Sequence, residues 1–139
     1  MAFNIAIVVS EFNDEITTPM LEAALERAKA IGLNVSSVSR VPGAYDMPLS
    51  VDLLLGRKDV DAVVTLGAII KGDTKHDELI ANVTAKTLTE LSLKHRKPVA
   101  LGISGPGMTH GQAEERIKPV AERAVDAAMH MLKETARIS

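Results

Sequence analysis

Short runs of branched aliphatic residues alternate along the chain with longer stretches in which apolar residues recur every three or four positions. Residues 4–10 (NIAIVVS), 34–41 (NVSSVSRV), 61–70 (DAVVTLGAII) and 98–104 (PVALGIS) are the short runs, and their length and Val/Ile/Leu content predict strands. The first and third are apolar at consecutive positions, which predicts strands covered on both faces inside a parallel sheet. The 34–41 run alternates and has one more polar face, which predicts an edge strand. Helical periodicity fills the gaps: residues 17–31, with Pro19 in the first turn and Gly32 as the stop, then 47–57, 76–94 and 109–139, the last with a break expected at Pro119.

The order βαβαβαβαα, with no linker or internal repeat, predicts one domain over 1–139 and an α/β fold. The expected architecture is a three-layer α/β/α sandwich of the flavodoxin-like kind, with four parallel strands in the order 2-1-3-4. In such open sheets ligands bind outside the carboxyl ends of the strands, near the point where strand order reverses. The chemistry is therefore expected on four loops, residues 11–15, 42–46, 71–77 and 105–109.

Composition narrows the function. With 139 residues, 46% of them hydrophobic and 24% charged, the chain can bury a sizeable core. A net charge of −2 and no Lys/Arg cluster leave no basic face, so no nucleic-acid partner is expected. The absence of Cys removes disulfides, zinc thiolates, iron–sulfur clusters and thiol nucleophiles together. No charged leader or cleavage site precedes the first strand, and no apolar run approaches ~18 residues, so neither secretion nor a membrane partner is expected and the expected address is cytoplasmic.

The chain has two Phe and one Tyr, and Phe12 and Tyr45 both fall in the strand-end loops. They could simply cap the sheet; the sharper reading is a planar ligand stacked on Phe12. Gly72-Asp73-Thr74-Lys75-His76-Asp77-Glu78 follows the most apolar strand and opens a long helix, where free N–H groups and the positive end of the helix dipole suit a phosphate. A plain N-cap is the competing account of Asp73 or Thr74. Of the four histidines only His76 lies in a strand-end loop; an ordinary imidazole pKa of about 6.5 lets it take and give a proton, and Asp77 or Glu78 could orient it. Arg116 follows the fourth strand's loop and suits a phosphate by its planar, permanently charged fork, although the pattern alone favours a helix-surface pair with Gln112 or Glu115. No metal-ligand spacing, Walker loop or Gly-x-Ser-x-Gly nucleophile elbow is present, so no metal is expected. The residues alone support a flat ring, a phosphate and a proton transfer, and name no reaction.

Ser10-Glu11-Phe12-Asn13, Val41-Pro42-Gly43-Ala44-Tyr45-Asp46-Met47-Pro48, the run from Gly67 to Asp77 and Gln112-Ala113-Glu114-Glu115-Arg116 together resemble the 6,7-dimethyl-8-ribityllumazine synthase family. The likeness covers essentially the whole chain and is strongest to archaeal members, through His76-Asp77-Glu78 and Ser104-Gly105-Pro106-Gly107-Met108-Thr109. It implies a transferase without cofactors that condenses 5-amino-6-(D-ribitylamino)uracil with 3,4-dihydroxy-2-butanone 4-phosphate to the lumazine, phosphate and water, the penultimate step of riboflavin biosynthesis. It further implies that Phe12 stacks on the pyrimidine, that Ala44, Tyr45 and Asp46 hold the ribityl chain and ring edge, and that Ala68, Ile69 and Ile70 bind the pyrimidine through backbone groups. Asp73 and Thr74 would bind the phosphate with Arg116 as countercharge, and His76 would be the general acid/base.

The resemblance also implies sites between subunits of a homopentamer, with Leu101 and Arg116 contributed across the interface, and allows an icosahedral shell of pentamers and a riboflavin synthase partner. Three positions depart from the family pattern. Leu101 stands where many relatives have Phe, Tyr45-Asp46 replaces a common Phe-Glu pair, and Asp73 replaces Ala or Glu, which points its backbone N–H rather than its carboxylate at the ligand. The archaeal type of riboflavin synthase shares the Pro42-to-Pro48 element but lacks the Gly-x-Thr-x-His segment. A flavodoxin-like binding or signalling module is disfavoured by Glu11, Asp14 and Glu15 in the first loop and by Ala68-Ile69-Ile70 where a receiver domain has Asp.

Overall fold

A computed structural model describes residues 2–139. The elements run β1 (Asn4–Ser10), α1 (Asp14–Ile31), β2 (Asn34–Val41), a 3-10 turn (Ala44–Asp46), α2 (Met47–Leu55), β3 (Ala62–Ile70), α3 (His76–His95), β4 (Val99–Met108), α4 (His110–Glu115) and α5 (Ile117–Ile138). The four strands form one parallel sheet in the order β2-β1-β3-β4, with helices on both faces, which is the flavodoxin-like α/β arrangement.

Strand periodicity divides the core. Ile5, Ile7 and Val9 of β1 and Ala62, Val64, Leu66 and Ala68 of β3 face α1 and α5, where Met20, Ala24, Ala28, Ala124, Val125 and Ala128 meet them. The intervening Ala6, Val8 and Val63 face the other way, against Met47, Val51 and Leu55 of α2 and Leu88 of α3. Central strands covered on both sides have no polar face, which is why both read as nearly continuous apolar runs, interrupted in β3 only by Thr65 and Gly67. Each fully buried Ile, Leu or Met here contributes about 1.5–3 kcal/mol relative to exposure. The edge strand β2 is largely exposed, as its alternation predicts.

Local differences from the sequence pattern have physical causes. Helix α1 starts at Asp14, three residues before the expected Thr17, because Asn13 adopts a left-handed conformation (φ 59°) and its carbonyl accepts from both Ile16 and Thr17 N–H. Pro19 consequently lies inside the helix. The last helical stretch breaks at Arg116, not at Pro119. Thr109 and Gln112 form a capping box that starts α4 as a short helix, and Pro119 sits in the first turn of α5, where a missing N–H leaves no bond unmade. The expected 105–109 loop is largely strand: β4 pairs Ser104 with Ala68 and then Met108 with Ile70, so residues 105–107 form a bulge. Glycine is required at 105, where φ is 109° and a Cβ would lie 2.3 Å from the Ile69 carbonyl oxygen.

Candidate functional site

Strand order reverses between β1 and β3, and the carboxyl ends of β1, β2 and β3 with the segments just after them carry ten of the twelve sequence-predicted site residues. The chain leaving β1 continues its ladder beyond the strand: Glu11 N–H donates to Val41 O at 2.8 Å and Phe12 N–H to Pro42 O at 2.9 Å. That holds Phe12 beside the next loop. A Cβ on Gly43 would lie 3.0 Å from Phe12 Cδ2, so the ring packs on the glycine while 69% of the residue stays exposed. Asn13, which follows, donates from Nδ2 to Ala68 O at 3.1 Å and so spans the switch point from β1 to β3.

The 3-10 turn puts Ala44, Tyr45 and Asp46 on the same edge. Ala44 is buried and Tyr45 is 64% exposed. Asp46 Oδ2 accepts from Gly43 N–H at 3.0 Å, which closes the turn, and Asp46 as a whole is exposed, its other carboxylate oxygen making no hydrogen bond among the described residues. Beyond β3, residues 71–76 are all exposed. The Thr74 hydroxyl accepts from His76 N–H at 3.2 Å, at the free N-terminus of α3. Thr74 thus serves one helix-start amide itself. Among the described residues the His76 imidazole has no hydrogen-bond or ion-pair partner.

One chain therefore brings Phe12, Ala44–Asp46, Ala68–Ile70 and Asp73–His76 to one edge of the sheet. Two predicted residues do not join them. Leu101 pairs with Thr65 in register, five residues or about 16 Å back along β3 from Ile70, and is 56% exposed on the α3 side. It borders a shallow pocket of about 160 Å³ with Ile69, Ala81, Ala85 and Ile103. Arg116 is exposed at the α4–α5 junction with no side-chain partner among the described residues.

The family model described as 6,7-dimethyl-8-ribityllumazine synthase matches residues 2–136. The chain belongs to this family. It is 52% identical over 132 residues to the 6,7-dimethyl-8-ribityllumazine synthase of Metallosphaera sedula, covering 95% of this chain and 87% of that one. The synthase of the same name from Sulfolobus acidocaldarius is 53% identical over 130 residues, 94% and 82% of the two chains. That from Saccharolobus solfataricus is 50% identical over 137 residues, 99% and 89%.

Against the lumazine synthase family reading, two structural features of the edge were missed from sequence. Asn13 braces the Phe12 loop, and His110 ties α4 to the start of α1. Its Nε2 lies 2.9 Å from Glu15 Oε1 and its Nδ1 2.8 Å from Glu114 Oε1, so both ring nitrogens face carboxylates. The Glu15 contact, then Glu114, raises the imidazole above its usual value, while a backbone hydrogen bond and then His110 lower the Glu15 carboxyl. The other histidines lie elsewhere: His95 pairs with Asp52 at 2.6 Å and His130 is exposed on α5.

The sign of the resulting pH dependence follows. Glu15 contributes stability above its ordinary 4.5 that is lost as pH falls through its lowered folded value, and His110 contributes below its ordinary 6.5 and loses this as pH rises through its raised folded value. The stability gap between wild type and His110→Gln is expected to be widest between pH 4.5 and 6.5 and to narrow at alkaline pH, measured by denaturant unfolding. A gap that widens as pH rises would remove the imidazolium from this contact.

Proposed function

We propose that the β1/β3 edge is the larger half of an active site completed by a second copy of the chain. As a lumazine synthase the protein is a transferase acting on small molecules: it condenses 5-amino-6-(D-ribitylamino)uracil with 3,4-dihydroxy-2-butanone 4-phosphate, yielding 6,7-dimethyl-8-ribityllumazine, phosphate and water in riboflavin biosynthesis. The observation that carries the site assignment is the convergence of an exposed ring (Phe12), an exposed carboxylate (Asp46) and an unpartnered imidazole (His76) on consecutive strand ends at the switch point.

In this reading Phe12 stacks on the pyrimidine, held at its height by Gly43. Asp46 accepts from ribityl hydroxyls through the oxygen that Gly43 leaves free, and Ala44 and Tyr45 flank it. Backbone groups of Ala68, Ile69 and Ile70 meet the pyrimidine edge. The Asp73 N–H and the Thr74 hydroxyl bind the phosphate, as the start of α3 favours an anion. His76 moves protons while the amine attacks the ketone, the imine forms, phosphate leaves and the ring closes. Holding both substrates in attack geometry can supply roughly 7–11 kcal/mol more.

Leu101 and Arg116 complete the site of the neighbouring subunit, which accounts for their distance from this edge or lack of partners in their own chain. The assembly reading is supported by an apolar exterior on α2 and α3, where Leu49, Leu53, Leu79, Val83 and Leu93 are each at least 40% exposed. A homopentamer is the expected unit, an icosahedral shell of pentamers the larger form the family allows, and a riboflavin synthase the expected consumer of the product. The whole of 1–139 is read as one domain in the cytoplasm; no described helix is long and apolar enough to cross a membrane.

The test is to mix purified protein with both substrates and to follow lumazine absorbance and phosphate release against the spontaneous background. Equimolar, catalysed release of both is expected. No rate above background from folded protein would defeat the reading, and lumazine dismutation without the butanone phosphate would point to the riboflavin synthase type instead.

A further inference from the structure

Among the described residues Asp77 is the only charged side chain that the fold buries, at 7% exposure. It sits in the first turn of α3, immediately after His76, and its Oδ2 accepts from Gly107 N–H at 2.9 Å. Gly107 belongs to the β4 bulge: with φ 74° and no register partner on β3, its N–H has no ladder carbonyl to meet. Six residues earlier, Lys71 N–H donates to Met108 O at 2.8 Å. The intervening residues 72–76 are exposed, and their one described side-chain hydrogen bond, from His76 N–H to the Thr74 hydroxyl, is internal. The segment that carries Thr74 and His76 is thus suspended between two anchors, on the adjacent residues Gly107 at the end of the bulge and Met108 where β4 rejoins β3.

We infer that Asp77 is a positioning residue for the condensation, which sets where Thr74 and His76 stand by locking the first turn of α3 onto the β4 bulge. The inference rests on reading 73–76 as the phosphate and proton-transfer segment. A buried carboxylate with a single described partner is costly to keep, whereas an apolar residue would fill the same space without that cost. Its hydrogen bond reaches a residue 30 positions away and is the only described side-chain link between this helix start and the bulge. One peptide joins Asp77 to His76, so displacing the carboxylate displaces the imidazole.

Three substitutions separate position from charge and from folding. Asp77→Asn keeps an acceptor oxygen at the same reach, Asp77→Glu keeps the charge but lengthens the arm by a methylene, and Asp77→Ala removes the bond. With rates expressed per folded enzyme, Asn is expected within about threefold of wild-type kcat, and Glu and Ala lower by about 10- to 100-fold, the scale of an ångström of misplacement. The KM for the butanone phosphate is expected to rise in Glu and Ala, and that for the ribitylaminouracil to stay, because Phe12 and Asp46 hang from other strand ends. Unchanged kcat and KM per folded enzyme in Glu and Ala overturn the inference, as does a loss in Asn equal to that in Ala, which would assign the effect to charge. If Ala does not fold, Glu against Asn decides. A wild type with no catalysis fails the functional reading instead, and is read from the same assay.

Discussion

His76→Ala is expected to lower kcat by about 10²–10⁴-fold, the range of a positioned acid/base group, and to leave the unfolding midpoint unchanged. The kinetic loss follows from chemistry in which each of four steps moves a proton beside the same loop. The unchanged stability follows from the structure, where the imidazole is exposed and has no partner among the described residues. Steady-state rates from lumazine absorbance, paired with denaturant unfolding, measure both. A variant with wild-type kcat would remove His76 from the mechanism and leave approximation of the two substrates to carry it; a variant that is inactive because it is unfolded would show that the α3 start needs the ring.

How far the site could be read in advance depended on how local its causes are. The placement of Phe12, Asp46 and His76 at strand ends follows from a topological rule that needs only strand order, and strand order was legible because β1 and β3 are apolar on both faces; their roles come from the family resemblance. Asn13 and Asp77 were not assigned their bracing contacts, because their partners, Ala68 O and Gly107 N–H, lie 55 and 30 residues away. The start of α1 had a local cause as well, since Asn readily adopts the left-handed conformation that Asn13 takes, and the distant hydrogen bond to Ala68 O adds to it. The break before α5 likewise had a local signal in Pro119 itself, which fits the first turn of a helix and so marks a start at Ile117 rather than a break at 119. The bulge at 105–107 was visible only as a Gly-Pro-Gly run; its place in β4 depends on where Met108 rejoins β3.

Gly102→Ala is expected to destabilise the fold by about 3 kcal/mol, at the upper end of overpacking effects, although it adds one methyl group. Gly102 pairs with Leu66 in the middle of β4, where a Cβ would lie 2.4 Å from Thr65 O, 3.0 Å from Ala124 Cβ and 3.0 Å from Leu66 Cδ2. The first of these is backbone, held in the sheet beside the Thr65 hydroxyl that donates to Ala100 O at 2.8 Å, so no rotamer change relieves it. Relief requires β4 to move away from β3 or α5 to lift from the sheet. Either shift carries Leu101 and the 105–107 bulge with it, so the variant should also lose activity in proportion to how far β4 moves. Gly111→Ala is the control: in helix α4, with nothing within 4 Å of the added Cβ, it is expected to be neutral or to stabilise by about 0.5–1 kcal/mol. Equal unfolding midpoints for the two variants would mean that β3 and β4 do not approach as closely as their register places them.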